Sequence, residues 1–284
     1  MTTQSNEAAT TIAPRSLHGT ALHWTALLLV ALTWFSGAIF GLYILAFFGG
    51  MALRGSADRW NESLPHLHDA TTSLATVAIG SHFMTGGVLL LLGPVQLIGG
   101  IRRAVPRLHR WLGRTYVLSA GFAGLGGLCF ILAKGTIGGA AMSTGFGIYG
   151  GLMTVGVVLT YSSAHGRRYE QHRAWAIRLF ALTIGSWLYR MEYGFWFLTA
   201  GHVGHESDFS GWFDAVMAFF FYLPNLAVAE CFIRGRRSAP GSALNLSAAA
   251  VLLAASLFVM VATWTFTVNF WGPGMISGIG GTPS

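Results

Sequence analysis

The chain has 284 residues, of which 53% are hydrophobic and 10% charged, and its mean hydropathy is +0.56. That balance excludes an ordinary soluble domain and makes lipid the expected main solvent. A net charge of +7 would suit a nucleic-acid partner only if the basic residues formed one face. They sit instead in short loops between apolar runs, so the bilayer is the expected partner and no nucleic acid is expected.

Residues 1–20 are polar, contain Glu7 and Arg15, and lack the short apolar core and cleavage site of a secretory signal. The apolar runs that follow are each long enough to cross a hydrocarbon core about 30 Å thick. They predict spans near Leu22 to Phe48, Leu74 to Gly100, Trp111 to Ala133, Gly145 to Ala164, Ala174 to Leu198, Trp212 to Phe232 and Leu244 to Phe270. The expected fold is thus an all-α integral membrane protein with about seven transmembrane helices. Spans two to five are expected to form a central four-helix bundle. Residues 1–20 are expected to be a cytoplasmic tail, 21–271 the transmembrane domain and 272–284 an external tail. Cys129 and Cys231 fall toward opposite ends of their spans, too far apart for a disulfide.

Charge sets the expected orientation. Thirteen of the 17 Lys and Arg residues fall on one side, in the N-terminal tail and in the loops after spans two, four and six. The positive-inside rule makes that side cytoplasmic, with the N-terminus inside and the C-terminus outside, in a bacterial inner membrane. Asp58, Glu62, Asp69, Glu206 and Asp208 all fall on the other side. Glycine is abundant, with 38 residues, and clusters in spans two to four. Small residues let helix backbones approach closely in lipid; the alternative is that some make room for a flat cofactor.

The two central arginine-rich loops resemble each other. One carries Arg102, Arg103, His109, Arg110, Trp111 and Arg114; the other carries Arg167, Arg168, His172, Arg173, Trp175 and Arg178. Spans two with three and four with five therefore read as parallel copies of one hairpin.

These residues also carry a family resemblance. With His82, Gly93-Pro94-x-Gln96, the segment Leu108-His109-Arg110-Trp111-Leu112-Gly113-Arg114-x-Tyr116, then His172-Arg173-x-Trp175 and Arg190, the chain resembles the bacterial membrane proteins catalogued as domain of unknown function 2306. The family-like core is about 72–200. The resemblance implies a polytopic membrane protein and no established reaction, substrate or cofactor.

Two constellations are candidates for chemistry. His82 and Arg190 lie inside spans, where ionisable groups are rare and face a cavity or a partner. Both fall in the half of the membrane away from the arginine-rich loops, so they can meet. Snorkelling of Arg190 to the head groups is the competing reading. Glu192, two residues on, points to a different face from Arg190. The second constellation is His109 with His172, at equivalent positions on diagonal helices of the bundle, where two imidazoles can hold a b-type haem. Arg110, Arg114, Arg173 and Arg178 would then pair with its propionates. The competing reading is that these His-Arg pairs only anchor helix ends against phosphate. His66-x-His68 with Asp69, and His202-x-x-His205 with Glu206 and Asp208, are common loop spacings, and no metal site is expected from them.

The leading functional expectation is b-type haem or quinone-linked electron transfer in spans two to five, with a membrane redox partner. The alternatives are a small-solute or proton transporter using His82 and Arg190, and a non-catalytic assembly or accessory subunit. Whether the chain is an enzyme stays open. A retinal protein is excluded because span seven has no Lys for a Schiff base.

Overall fold

The computed structural model describes residues 17–63, 67–69, 71–235 and 243–280, and among them every regular element is helical. The elements are α1 (Leu17–Ile44), α2 (Gly50–Leu53), α3 (Ser73–Leu97), α4 (Gly99–Ala104), α5 (Pro106–Lys134), α6 (Gly139–His165), α7 (Tyr169–Thr183), α8 (Gly185–Ala200), α9 (Trp212–Phe220), α10 (Leu223–Gly235), α11 (Ala243–Phe266) and α12 (Gly272–Gly280). Six stretches are long and apolar enough to cross a membrane: 21–53, 73–96, 106–134, 139–165, 212–230 and 246–280. They correspond to six of the seven predicted spans. The predicted span at 174–198 is present as α7 and α8, interrupted at Ile184, with neither half long enough by itself.

Local chemistry explains most boundaries. Pro106 occupies the first turn of α5, where its missing N–H costs nothing, and Gly135 ends that helix at φ +78°, a conformation that favours glycine. The predicted sixth span is split at Phe221 and Tyr222 because Pro224 sits in the first turn of α10. Residues 272–280, expected to begin an external tail, form α12 instead. Arg54, at the end of α2, donates to the carbonyls of Gly278 and Ile279, fixing α12 against α2.

Spans two to five form the expected bundle. Helix α3 packs on α5, α5 on α6, α6 on α7, and α7 returns to α3. Its core is Leu89, Tyr116, Ala120, Tyr149, Met153 and Leu179. A second core, with Phe40, Phe48, Phe83, Trp187 and Trp271, joins α1, α3, α8 and the segment after α11. Ser36 is its polar pin: it accepts from Trp187 Nε1 at 3.0 Å and lies 2.7 Å from the Thr263 hydroxyl, tying α1, α8 and α11 together. The outer helix faces stay apolar, with Leu132 86% and Trp264 73% exposed. Such a surface is stable against lipid and would aggregate in water.

Candidate functional site

Between the two cores lies a cavity of about 380 Å³, walled by α3, α5, α6 and α8 and bordered by the loop from Lys134 to Ile137. It occupies the half of the bundle away from the arginine-rich loops, and both His82 and Arg190 line it. The structure thus brings together the pair that sequence placed at one depth.

His82 reaches α5 because the facing residues there have no side chain. A Cβ at Gly126 would stand 2.6 Å from the Ala78 carbonyl, and one at Gly127 3.3 Å from His82 Nδ1. Nδ1 lies 2.7 Å from the Ala123 carbonyl. A carbonyl only accepts, so Nδ1 carries the proton and, in the neutral ring, Nε2 keeps its lone pair. The two expectations for the glycines meet here: Gly126 permits the close helix approach, while Gly124, Gly127 and Gly150 line the cavity.

Arg190 donates from Nη1 to the Ser186 carbonyl at 3.2 Å, and its guanidinium carbon lies 5.1 Å from the centre of the Phe40 ring. Its charge is within electrostatic reach of His82. Among the described residues it makes no ion pair. Lys134, the other cation on the wall, is neutralised by Asp69 at 2.9 Å. The Thr71 hydroxyl first, then Lys134 and the Thr71 amide, hold the Asp69 carboxyl well below the usual carboxylate range.

The helix break sits on the same wall. The Tyr149 hydroxyl donates to the Leu182 carbonyl at 2.8 Å and contacts the Ser186 amide. Those two backbone groups would otherwise bond each other in an unbroken helix. A side chain inserted into the i to i−4 ladder is a known cause of a kink, and a broken backbone is tolerated at membrane depth where it lines a cavity.

Beyond the cavity runs a network that sequence reasoning missed. Tyr189, on the cavity wall, donates to the Tyr193 hydroxyl at 3.2 Å, and Tyr193 donates to Asp214 Oδ1 at 2.6 Å. The same oxygen lies 2.7 Å from His205 Nδ1, while Oδ2 accepts from the amides of Glu206 and Gly211 at 3.1 Å each. Asp214 is fully buried. An acidic residue two positions into a predicted span was the available signal.

At the arginine-rich end, His109 and His172 are within electrostatic reach of each other. His172 Nδ1 lies 3.0 Å from the Thr160 carbonyl, and His109 Nδ1 is buried without a hydrogen-bond partner. The arginines have other occupations. Arg178 bonds Glu230 at 2.7 Å, and Arg114 and Arg178 lie over Trp111 and Trp175 respectively, the same local contact in each copy of the repeat. Arg110 is exposed and Arg173 half-buried. Deeper in the bundle Tyr116 and Thr183 hydrogen-bond across the α5–α7 diagonal.

Glu192 carries a buried Oε2 without a hydrogen-bond partner. Among the described residues no group of three or more His, Cys, Asp or Glu side chains comes together as a metal site would need; His66 lies outside the described residues. Cys129 is exposed and free.

A family model described as predicted membrane protein (DUF2306) matches residues 79–233, more than half of the chain. The match contains α5, α6, α7, α8 and α9, and with them both candidate constellations. No curated protein and no solved structure matches.

Proposed function

Since this chain belongs to the DUF2306 family of predicted membrane proteins, we propose that it takes up a small solute in the cavity lined by His82 and Arg190, as a transporter-type membrane protein. One observation carries the reading. A guanidinium with no carboxylate partner and an imidazole with a free Nε2 face one cavity inside the bundle. An Arg inside a span costs about 2.5–3.5 kcal/mol on insertion scales, and no ion pair offsets that cost here. Retention of such a group is expected where a ligand supplies the missing partner. The kink at Ile184 supports the same reading, because broken helices at mid-depth are where transporter binding sites form. With the arginine-rich loops in the cytoplasm, the cavity belongs to the external half of an inner-membrane protein.

The test is a thermal-shift screen of small solutes on the purified, full-length protein, repeated on His82→Leu and Arg190→Leu. At least one solute should stabilise the wild type and lose its effect in both variants. If no solute shows a His82- or Arg190-dependent shift, the reading fails.

A b-type haem between His109 and His172 is the second reading, favoured by the buried, unpartnered Nδ1 of His109 close to a second imidazole. Less supports it, because Arg178 is already bonded to Glu230.

A further inference from the structure

We infer that the cavity binds a monocarboxylate with an apolar body, and that a proton binds with it on His82 Nε2. The inference rests on the solute-uptake reading and specifies its ligand. Charge selects the head group. With Lys134 neutralised by Asp69, Arg190 is the cation on the wall without a carboxylate partner, and an anionic head group supplies that partner. A neutral ligand would leave the guanidinium unpaired, and a second carboxylate would find no further unpaired cation on the wall. A planar carboxylate also matches the two parallel donors of a guanidinium. Shape selects the rest: the walls are mainly apolar, with the rings of Phe83, Phe130, Phe146 and Phe221 set among aliphatic side chains, and they accept a flat or chain-like apolar group. At about 380 Å³ the cavity holds one small acid.

The proton follows from the tautomer. Because Nδ1 donates to the Ala123 carbonyl, Nε2 presents a lone pair, which would repel a carboxylate oxygen beside it. Protonation of Nε2 turns that repulsion into a charge-assisted hydrogen bond. When the acid form enters, its O–H bond breaks, an N–H bond forms at Nε2, and the carboxylate keeps the electron pair. The groups facing His82 are few. Helix α5 supplies the Ala123 carbonyl, α8 supplies Arg190 and Tyr189, α6 supplies Tyr149, and Lys134 with its Asp69 partner stands at the rim. None of the span groups is a carboxylate, so a ligand anion would supply the negative charge that a protonated ring pairs with.

The experiment is isothermal titration of the purified, full-length protein with benzoate, decanoate, benzamide and 1,4-naphthoquinone. Wild-type protein should bind a carboxylate and not benzamide or the quinone. Between about pH 6 and 8 the affinity should rise by up to about tenfold per pH unit of acidification, one proton being taken up per ligand. Preference for benzoate identifies a water-soluble source and preference for decanoate a membrane-partitioned one. His82→Gln should retain carboxylate selectivity and lose the pH dependence. The ligand panel needs only the wild type, so misfolding of a variant does not blunt it. Benzamide or quinone binding as tightly as benzoate would overturn the anion class and leave the cavity reading standing. A carboxylate affinity independent of pH in the wild type, or an unchanged pH slope in His82→Gln, would overturn the proton. Silence from all four probes would overturn the ligand class, and the solute-uptake reading would stand or fall separately on its screen.

Discussion

Replacing Asp214 by Asn tests whether one buried carboxylate holds the loop that is tied to the cavity wall through Tyr193 and Tyr189. The carboxylate accepts four hydrogen bonds, from the Tyr193 hydroxyl, His205 Nδ1 and the amides of Glu206 and Gly211. An Asn side chain keeps one oxygen. If that oxygen stays with Tyr193 and His205, its NH₂ group meets two amide N–H donors, and two bonds are lost. Hydrogen bonds to a charged group are worth about 1.5–3 kcal/mol each, and buried donors left unmet add to the loss. The expected cost is about 3–6 kcal/mol, and at roughly 2 °C per kcal/mol for a chain of this length the melting temperature should fall by about 6–12 °C. Thermal unfolding of the detergent-purified protein, followed by circular dichroism, reads this directly, and limited proteolysis should cut first within residues 201–211. Asp208→Asn is the control: Asp208 is exposed and its carboxylate accepts from the amide and hydroxyl of nearby Ser210, so that variant should melt with the wild type. An Asp214→Asn protein melting within about 1 °C of wild type would mean that water replaces the lost bonds and the carboxylate does not organise the loop.

Arg190→Leu should preserve or raise the melting temperature while abolishing solute binding, because it removes a cation that has no ion-pair partner; exposed Arg103→Leu should change neither, and equal effects on binding would support snorkelling. Reporter insertions after Gly166 should be cytoplasmic and those after Gly201 or Ser284 external, and the reverse pattern would refute the orientation. The Lys134–Asp69 bridge at the cavity rim should be insensitive to pH above about 4. Because the folded state holds the Asp69 carboxyl low, its contribution is present above the ordinary carboxylate range and is lost only as pH falls through the depressed value; a rim contact that loosens between neutral pH and about pH 5 would contradict this. Protein purified from haem-replete cells should show a sharp α-band on reduction, lost in His109→Leu and His172→Leu, if the second reading holds; a colourless, folded preparation would remove it.

What could be read from the chain divides along physical lines. Spans are legible because crossing a bilayer demands a run of apolar residues, and six such runs became continuous or nearly continuous helices. His82 and Arg190 were legible for the opposite reason, since ionisable groups are rare in spans and each needs an explanation. Partners supplied by the backbone were not legible. The Ala123 carbonyl that fixes the His82 tautomer, and the small residues that let it approach, have no side-chain signature. Glu230 and Asp214 were passed over because each sits near the end of an apolar run, where a charge reads as an interfacial cap; only the fold shows that one bonds Arg178 and the other is fully buried.

The interruption at Ile184 is the clearest case of structure arising from a pair distant in sequence. Nothing between Leu182 and Ser186 forces a break: there is no proline, and Gly185 is a weak helix former, about 1 kcal/mol worse than Ala. The cause lies on α6, where the Tyr149 hydroxyl takes the place of one rung of the helical ladder. Gly185 admits it, since a Cβ there would stand 3.3 Å from the Tyr149 ring. The hydroxyl donates to the Leu182 carbonyl, so that group keeps a partner at the break. It also lies next to Ser186, whose carbonyl accepts from Arg190. A residue that reads in sequence as aromatic packing therefore sets the local geometry from which the cationic wall of the cavity is built.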